Sequence, residues 1–180
     1  MSKAAIKPHP PTLAQVLGSP ALLLATWWCT GLSPRAPGTV GSLAALPLCA
    51  LCLLYLPFWG VLGVAAVLLW VGVWCAGTAG AAWGQVDHGA IVIDEVLGQL
   101  LAVAVPYFVL QVGFEQGPNE LVLGIVGFVL FRLFDITKPW PASYFDRQVK
   151  TAWGVMLDDV AAGIWAGVVA IPLLVGLAVL

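Results

Sequence analysis

Five of the nine acidic residues stand at the edges of long apolar runs: Asp94 and Glu95 before one, Asp135 after another, Asp158 and Asp159 before a third. A carboxylate beside hydrocarbon costs on the order of several kcal/mol unless a cation or hydrogen-bond donor offsets it. Asp at a helix start can be an N-cap meeting the positive end of the dipole, which accounts for Asp94 or Asp158 taken singly. Capping does not account for paired acids at two separate starts. Nor does it account for Asp135, at a helix C-terminus, where the dipole has the wrong sign. Arg132, three residues earlier on the same face, is its expected cation. Five carboxylates with no convergent His or Cys are the donor set for a hard divalent ion such as Mg2+.

Cations stand nearby. The stretch from Phe131 to Asp159 holds four of the nine acidic residues and four of the seven basic ones. Lys138, in KPWP, and Arg147, in FDRQ, are placed with Arg132 to neutralise a phosphate beside a metal, the charge compensation that phosphoryl transfer demands. Retention of positive loops inside the cell or binding of anionic headgroups explains the same residues without catalysis. The turn GLSPRAPGTVGS, from Gly31 to Ser42, adds backbone N–H groups and the Ser33, Thr39 and Ser42 hydroxyls. It reads equally as an anion cradle or as a Pro/Gly lead into a helix.

The elements that must carry these groups are set by composition. With 61% hydrophobic and 9% charged residues and a mean hydropathy of +1.00, the chain reads as an integral membrane protein. Its 180 residues accommodate about five spans of roughly 20 residues each. The expected spans are Ser42 to Phe58, Val61 to Trp83, Ile91 to Gly113, Leu121 to Phe134 and Val160 to Leu180. The expected fold is therefore all-α and polytopic. Ala21 to Cys29 is too short to span and reads as a re-entrant or interfacial helix, with Trp27 and Trp28 at headgroup level. Residues 1 to 20 read as a cytoplasmic lead-in, and 21 to 180 as a single membrane-embedded domain.

Basic residues orient the chain, since Lys and Arg concentrate in cytoplasmic loops. An inside N-terminus puts all seven on that side, together with the Gly-rich turn, the Asp87 to Glu95 segment and the loop after Asp135. Glu115 and Glu120 fall on the other side. No basic arm suggests nucleic acid. The sequence does not fix an oligomeric state.

Several chemistries are excluded. Cys29, Cys49, Cys52 and Cys75 read as small apolar fillers, because no second Cys or His pair completes a zinc site around the C-x2-C. The Cys29 to Arg35 spacing matches that of cysteine phosphatases by chance, with no His before it and a single Gly inside. His88 is the one His outside the N-terminal tail, too few for a histidine-nucleophile phosphatase. The D-x2-D-G-x2-A-R signature of headgroup transferases and a Walker A loop are both absent.

Four segments, GLSPRAPGTVGSLAALP, DHGAIVIDEVLGQ, FRLFDITKPWPASYFDRQV and GVMLDDVAAGI, resemble in order the motifs of the bacterial phosphatidylglycerophosphatase A family. The resemblance covers most of Gly31 to Gly163 and leaves the first 20 residues and the last span largely outside. It departs where Trp27, Trp28, Cys29 and Thr30 replace the small residues expected before GLSP. It implies a Mg2+-dependent phosphomonoesterase that removes the terminal phosphate of phosphatidylglycerophosphate at the cytoplasmic face of the bacterial inner membrane. It also implies Asp94, Glu95, Asp135, Asp146, Asp158 and Asp159 as acidic site residues, with Lys138 and Arg147 as phosphate partners. Two other readings stay open: a phosphatase of the same scaffold acting on a different phosphomonoester, and a proton or cation pathway. Acids at segment ends argue against the pathway, which needs them deep in the spans. A non-catalytic lipid-binding scaffold is a third.

Overall fold

A computed structural model describes residues 10–113 and 119–179, and every regular element within them is helical. Lys3, Lys7, Glu115 and Leu180 lie outside the described residues. Five helices reach 18 residues or more: α3 (Pro37–Tyr55), α4 (Phe58–Trp83), α5 (Ile93–Gly113), α6 (Glu120–Thr137) and α8 (Ala152–Val179). Short helices α1 (Leu13–Leu17), α2 (Pro20–Ala25) and α7 (Ala142–Gln148) complete the set, with a 3-10 turn at Thr30–Leu32. Four of the long helices are long and apolar enough to cross a membrane. The fifth, α6, carries Glu120, Arg132 and Asp135 within its 18 residues. Large side chains such as Trp59, Trp70, Trp74, Ile125 and Leu173 are exposed on the outer faces, as a lipid-facing surface requires.

The expected boundaries hold for α4, α5 and α6 to within a few residues and fail at two places. α3 begins at Pro37 rather than Ser42, so the second half of the Gly-rich turn is helix. Pro at the first helical position has no N–H to leave unpaired and is already set at a helical φ, and Ala36 supplies the left-handed residue before it. α8 begins at Ala152 rather than Val160, which places Asp158 and Asp159 two turns inside the helix and not at its cap. Capping of α8 by Asp158 is thereby overturned. So is the argument that all the acids lie at segment ends, although all of the site acids still cluster toward one end of the bundle. The expected re-entrant segment is only α2, packed on α4, and a bend through left-handed Trp27, Trp28 and Cys29. The Ala25 carbonyl accepts the Val92 N–H at 2.8 Å, which ties this segment to the start of α5.

α5 is the central helix and packs most extensively on α8. Close approach is made by glycines: a Cβ on Gly163 would lie 2.3 Å from the Gly98 carbonyl oxygen, and one on Gly98 would lie 2.9 Å from the Asp159 carbonyl oxygen. Asp94 and Asp159 each stand four residues before their crossing glycine. Helical side chains lean toward the N-terminus, so residues four apart share a face. The crossing therefore brings these two carboxylates together one turn above it.

Candidate active site

The N-terminal ends of α3 and α5, the second turn of α8 and the C-terminal end of α6 meet at the site. α5 contributes Asp94 and Glu95 from its first turn, and α8 contributes Asp158 and Asp159. Oxygen atoms of Asp94, Glu95 and Asp159 lie within 4.8 Å of one another. Asp94 and Asp159 are buried, and the Glu95 side chain is 13% exposed. α3 approaches through Gly38, where a Cβ would sit 2.1 Å from Glu95 Oε1. Only a glycine lets that helix end, with its positive dipole, stand against the carboxylate.

The antiparallel α6 brings Arg132 and Asp135. Arg132 Nη1 contacts Asp135 Oδ2 at 2.8 Å and Glu95 Oε1 at 3.9 Å, and donates to Ser42 Oγ at 3.3 Å. The Ser42 hydroxyl in turn donates to the Gly38 carbonyl at 2.8 Å. Arg132 thus bridges three helices and is committed to carboxylates and a hydroxyl. Asp135 is paired as the i, i+3 spacing predicts.

Lys138 is the second bound cation. It caps α6 in a left-handed conformation and its Nζ donates to Asp146 Oδ1 at 2.7 Å and Asp158 Oδ2 at 2.5 Å. Burial works against its charge, but the hydrogen bonds to Asp146 and Asp158 outweigh that and hold the ammonium pKa above the ordinary lysine range. The Lys138 hydrogen bond likewise holds the Asp146 carboxyl below the usual carboxylate range. Asp146 therefore belongs to the lysine pair and lies outside the three-carboxylate cluster. Arg147 is exposed on α7 and acts on Asp146 through space. Beside the pair opens a cleft of about 320 Å³ lined by Gln85, Asp87, Asp146, Lys150, Thr151 and Asp158.

Of the three hydroxyls in the Gly-rich turn, Ser42 alone is joined to the charged centre, through Arg132. The Ser33 hydroxyl donates to the Arg35 carbonyl within its own turn, and Thr39 lies in the first turn of α3 and not in a loop. Three residues were given no site role from the sequence. Asp87 and Lys150 line the cleft, and neither sits in a recognisable spacing with the acids of the cluster. Gln99 is fully buried with both side-chain amide atoms unpaired, as are Glu95 Oε2 and Arg132 Nε. A polar residue four positions after Glu95 in an apolar helix was the available signal.

An all-oxygen donor set of converging, largely buried carboxylates fits Mg2+. The unpaired Glu95 Oε2 and the excess of carboxylates over the two bound cations point the same way. The four cysteines are free, and three of them are buried in the apolar core.

The phosphatidylglycerophosphatase A family model matches residues 23–174, a span that includes every group just described. The chain belongs to the phosphatidylglycerophosphatase A family. It is 37% identical over 150 residues to phosphatidylglycerophosphatase A of Escherichia coli K12, covering 82% of this chain and 80% of that protein. The Haemophilus influenzae protein of the same name is 35% identical over 152 residues, covering 84% of this chain and 86% of its own length. A Bacteroides thetaiotaomicron relative, 33% identical over 150 residues and covered to 87%, is provisionally named a phosphatidylinositol-3-phosphatase. No solved structure matches the chain. Family membership makes the chain a phosphomonoesterase carried by membrane-spanning helices.

Proposed function

We propose that the chain hydrolyses phosphatidylglycerophosphate to phosphatidylglycerol and phosphate, using Mg2+ held at the cytoplasmic face of the bacterial inner membrane. The observation that carries the reading is the convergence of Asp94, Glu95 and Asp159 within 4.8 Å in a chain of this family. Those three carboxylates would hold the ion, with Asp158 beside Asp159 in the chain. An ion held there would supply Lewis-acid polarisation and a more acidic bound water.

The chain's own groups do the rest. Arg132, braced by Asp135 and Ser42, fixes the Glu95 carboxylate. Lys138, charged and held between the cleft-lining Asp146 and Asp158, offsets negative charge that builds on the phosphoryl group. Arg147 and Lys150, on the exposed rim, draw the anionic headgroup in. The cytoplasmic assignment is supported by the basic residues, since Arg35, Lys138, Arg147 and Lys150 all lie at the end of the bundle that holds the site.

The differing name of one relative makes substrate choice the point to test. Phosphate release by purified protein should be at least tenfold faster from phosphatidylglycerophosphate than from phosphatidylinositol 3-phosphate or glycerol 3-phosphate. A preference for either competitor would overturn the substrate assignment and leave the phosphatase assignment standing.

A further inference from the structure

Gln99 occupies a position where the fold alone prefers an apolar side chain. It lies in the second turn of α5, is 0% exposed, and has neither its Nε2 nor its Oε1 in a hydrogen bond. A buried amide left in that state forgoes the hydrogen bonds it makes with water in the unfolded chain, which destabilises the fold. Buried polar groups are almost always satisfied, so an exception calls for an explanation such as a bound water or ion or a role in the site.

Two of the other three unmet atoms show where the reason lies, the third being Trp83 Nε1 at the end of α4. Glu95 Oε2 and Arg132 Nε are also buried and unpaired. Glu95 stands one helical turn before Gln99, so the two side chains are neighbours on one face of α5. Arg132 reaches Glu95 from α6, with Nη1 at 3.9 Å from Oε1. The unmet groups are complementary: Glu95 Oε2 accepts, Arg132 Nε–H donates, and a primary amide does both. A Met or Leu would fill the space and satisfy neither.

We propose that Gln99 is a positioning residue of the metal site. Its Nε2 donates to Glu95 Oε2 and its Oε1 accepts from Arg132 Nε, directly or through one water, when Glu95 Oε1 is engaged by the cation. It fixes which Glu95 oxygen faces the ion and keeps Arg132 from swinging onto it. The inference rests on the metal reading above. Groups that orient a metal ligand typically change affinity or activity by about 10–100-fold when removed.

The test is Q99M, close to Gln in volume and free of the amide, with Q99L as a second variant. Mn2+ binding without substrate, thermal unfolding in detergent, and kcat and KM are measured for each. The expected result is a Tm at or above that of the wild type, Mn2+ affinity weakened about 10–100-fold, and a loss concentrated in kcat with KM within about threefold. Variants that bind Mn2+ and turn over within twofold of the wild type would overturn the proposal. So would failure of both to fold, which would make the amide a structural group. Wild-type protein that binds no Mn2+ would sink the metal reading itself, an outcome distinct from either of these.

Discussion

Lys138 joins two carboxylates of different standing, and its removal should affect them unequally. Asp158 is buried, with its side chain 8% exposed, whereas that of Asp146 is 27% exposed. K138M should therefore cost about 1–3 kcal/mol, chiefly by stranding Asp158. D146N should cost no more than about 1 kcal/mol, as exposed pairs do. Thermal unfolding in detergent ranks the two, and a larger loss for D146N would contradict the assignment. The pH dependence has a definite sign. Asp146 is held below its unfolded value by Lys138, so its contribution is present above about pH 3.9. It is lost as pH falls through the folded pKa. The Tm gap between wild type and D146N should close in strong acid and stay constant near neutrality.

At the scale of helices, glycine placement decides whether the carboxylates meet. G163A would force a methyl to within 2.3 Å of the Gly98 carbonyl oxygen and must spread α5 from α8. The expected cost is about 1–3 kcal/mol, the range for overpacking, together with loss of activity as Asp94 and Asp159 separate. G124A meets nothing within 4 Å and should be neutral, or stabilising by up to about 1 kcal/mol, by helix propensity alone. Parallel unfolding and activity assays check both, and equal behaviour of the two variants would contradict the crossing. The sequence made the acids legible as a group, because charge in an apolar chain is conspicuous, and it made α4, α5 and α6 legible from their apolar length. It did not reveal that Asp158 and Asp159 lie inside α8. Adjacent acids read as a boundary until the neighbouring Lys138 and the facing Asp94 and Glu95 are seen. The Gly31 to Ser42 segment misled for a related reason: Pro37, Gly38 and Gly41 are turn formers in isolation, yet here they start a helix and let it press against Glu95 and Val92. Gly98 and Gly163 carry no signal in one sequence, since their role exists only at a contact 65 positions apart along the chain.

For the whole molecule, the bundle gathers all the charged side chains of its described residues except Glu120 at one end and leaves the remainder to lipid. The odd-numbered helices α3 and α5 begin at that end, α4 and α6 return to it, and α8 leaves it again. If it faces the cytoplasm, W59C at the opposite corner should react with a membrane-impermeant maleimide in intact cells. K150C should react only after permeabilisation, both in a C29S background. The reverse pattern would invert the topology. The central claim is that Asp94, Glu95 and Asp159 form a metal-dependent phosphatase centre. Its most direct test is phosphate release from phosphatidylglycerophosphate across a Mg2+ titration, by chelator-treated wild type, D94N, D159N and the distant control E120Q. The account predicts no release by wild type or E120Q until Mg2+ is restored, then full recovery, with D94N and D159N at least 10–100-fold slower at any Mg2+ concentration. Undiminished release after chelation, or wild-type rates in both Asn variants, would contradict it.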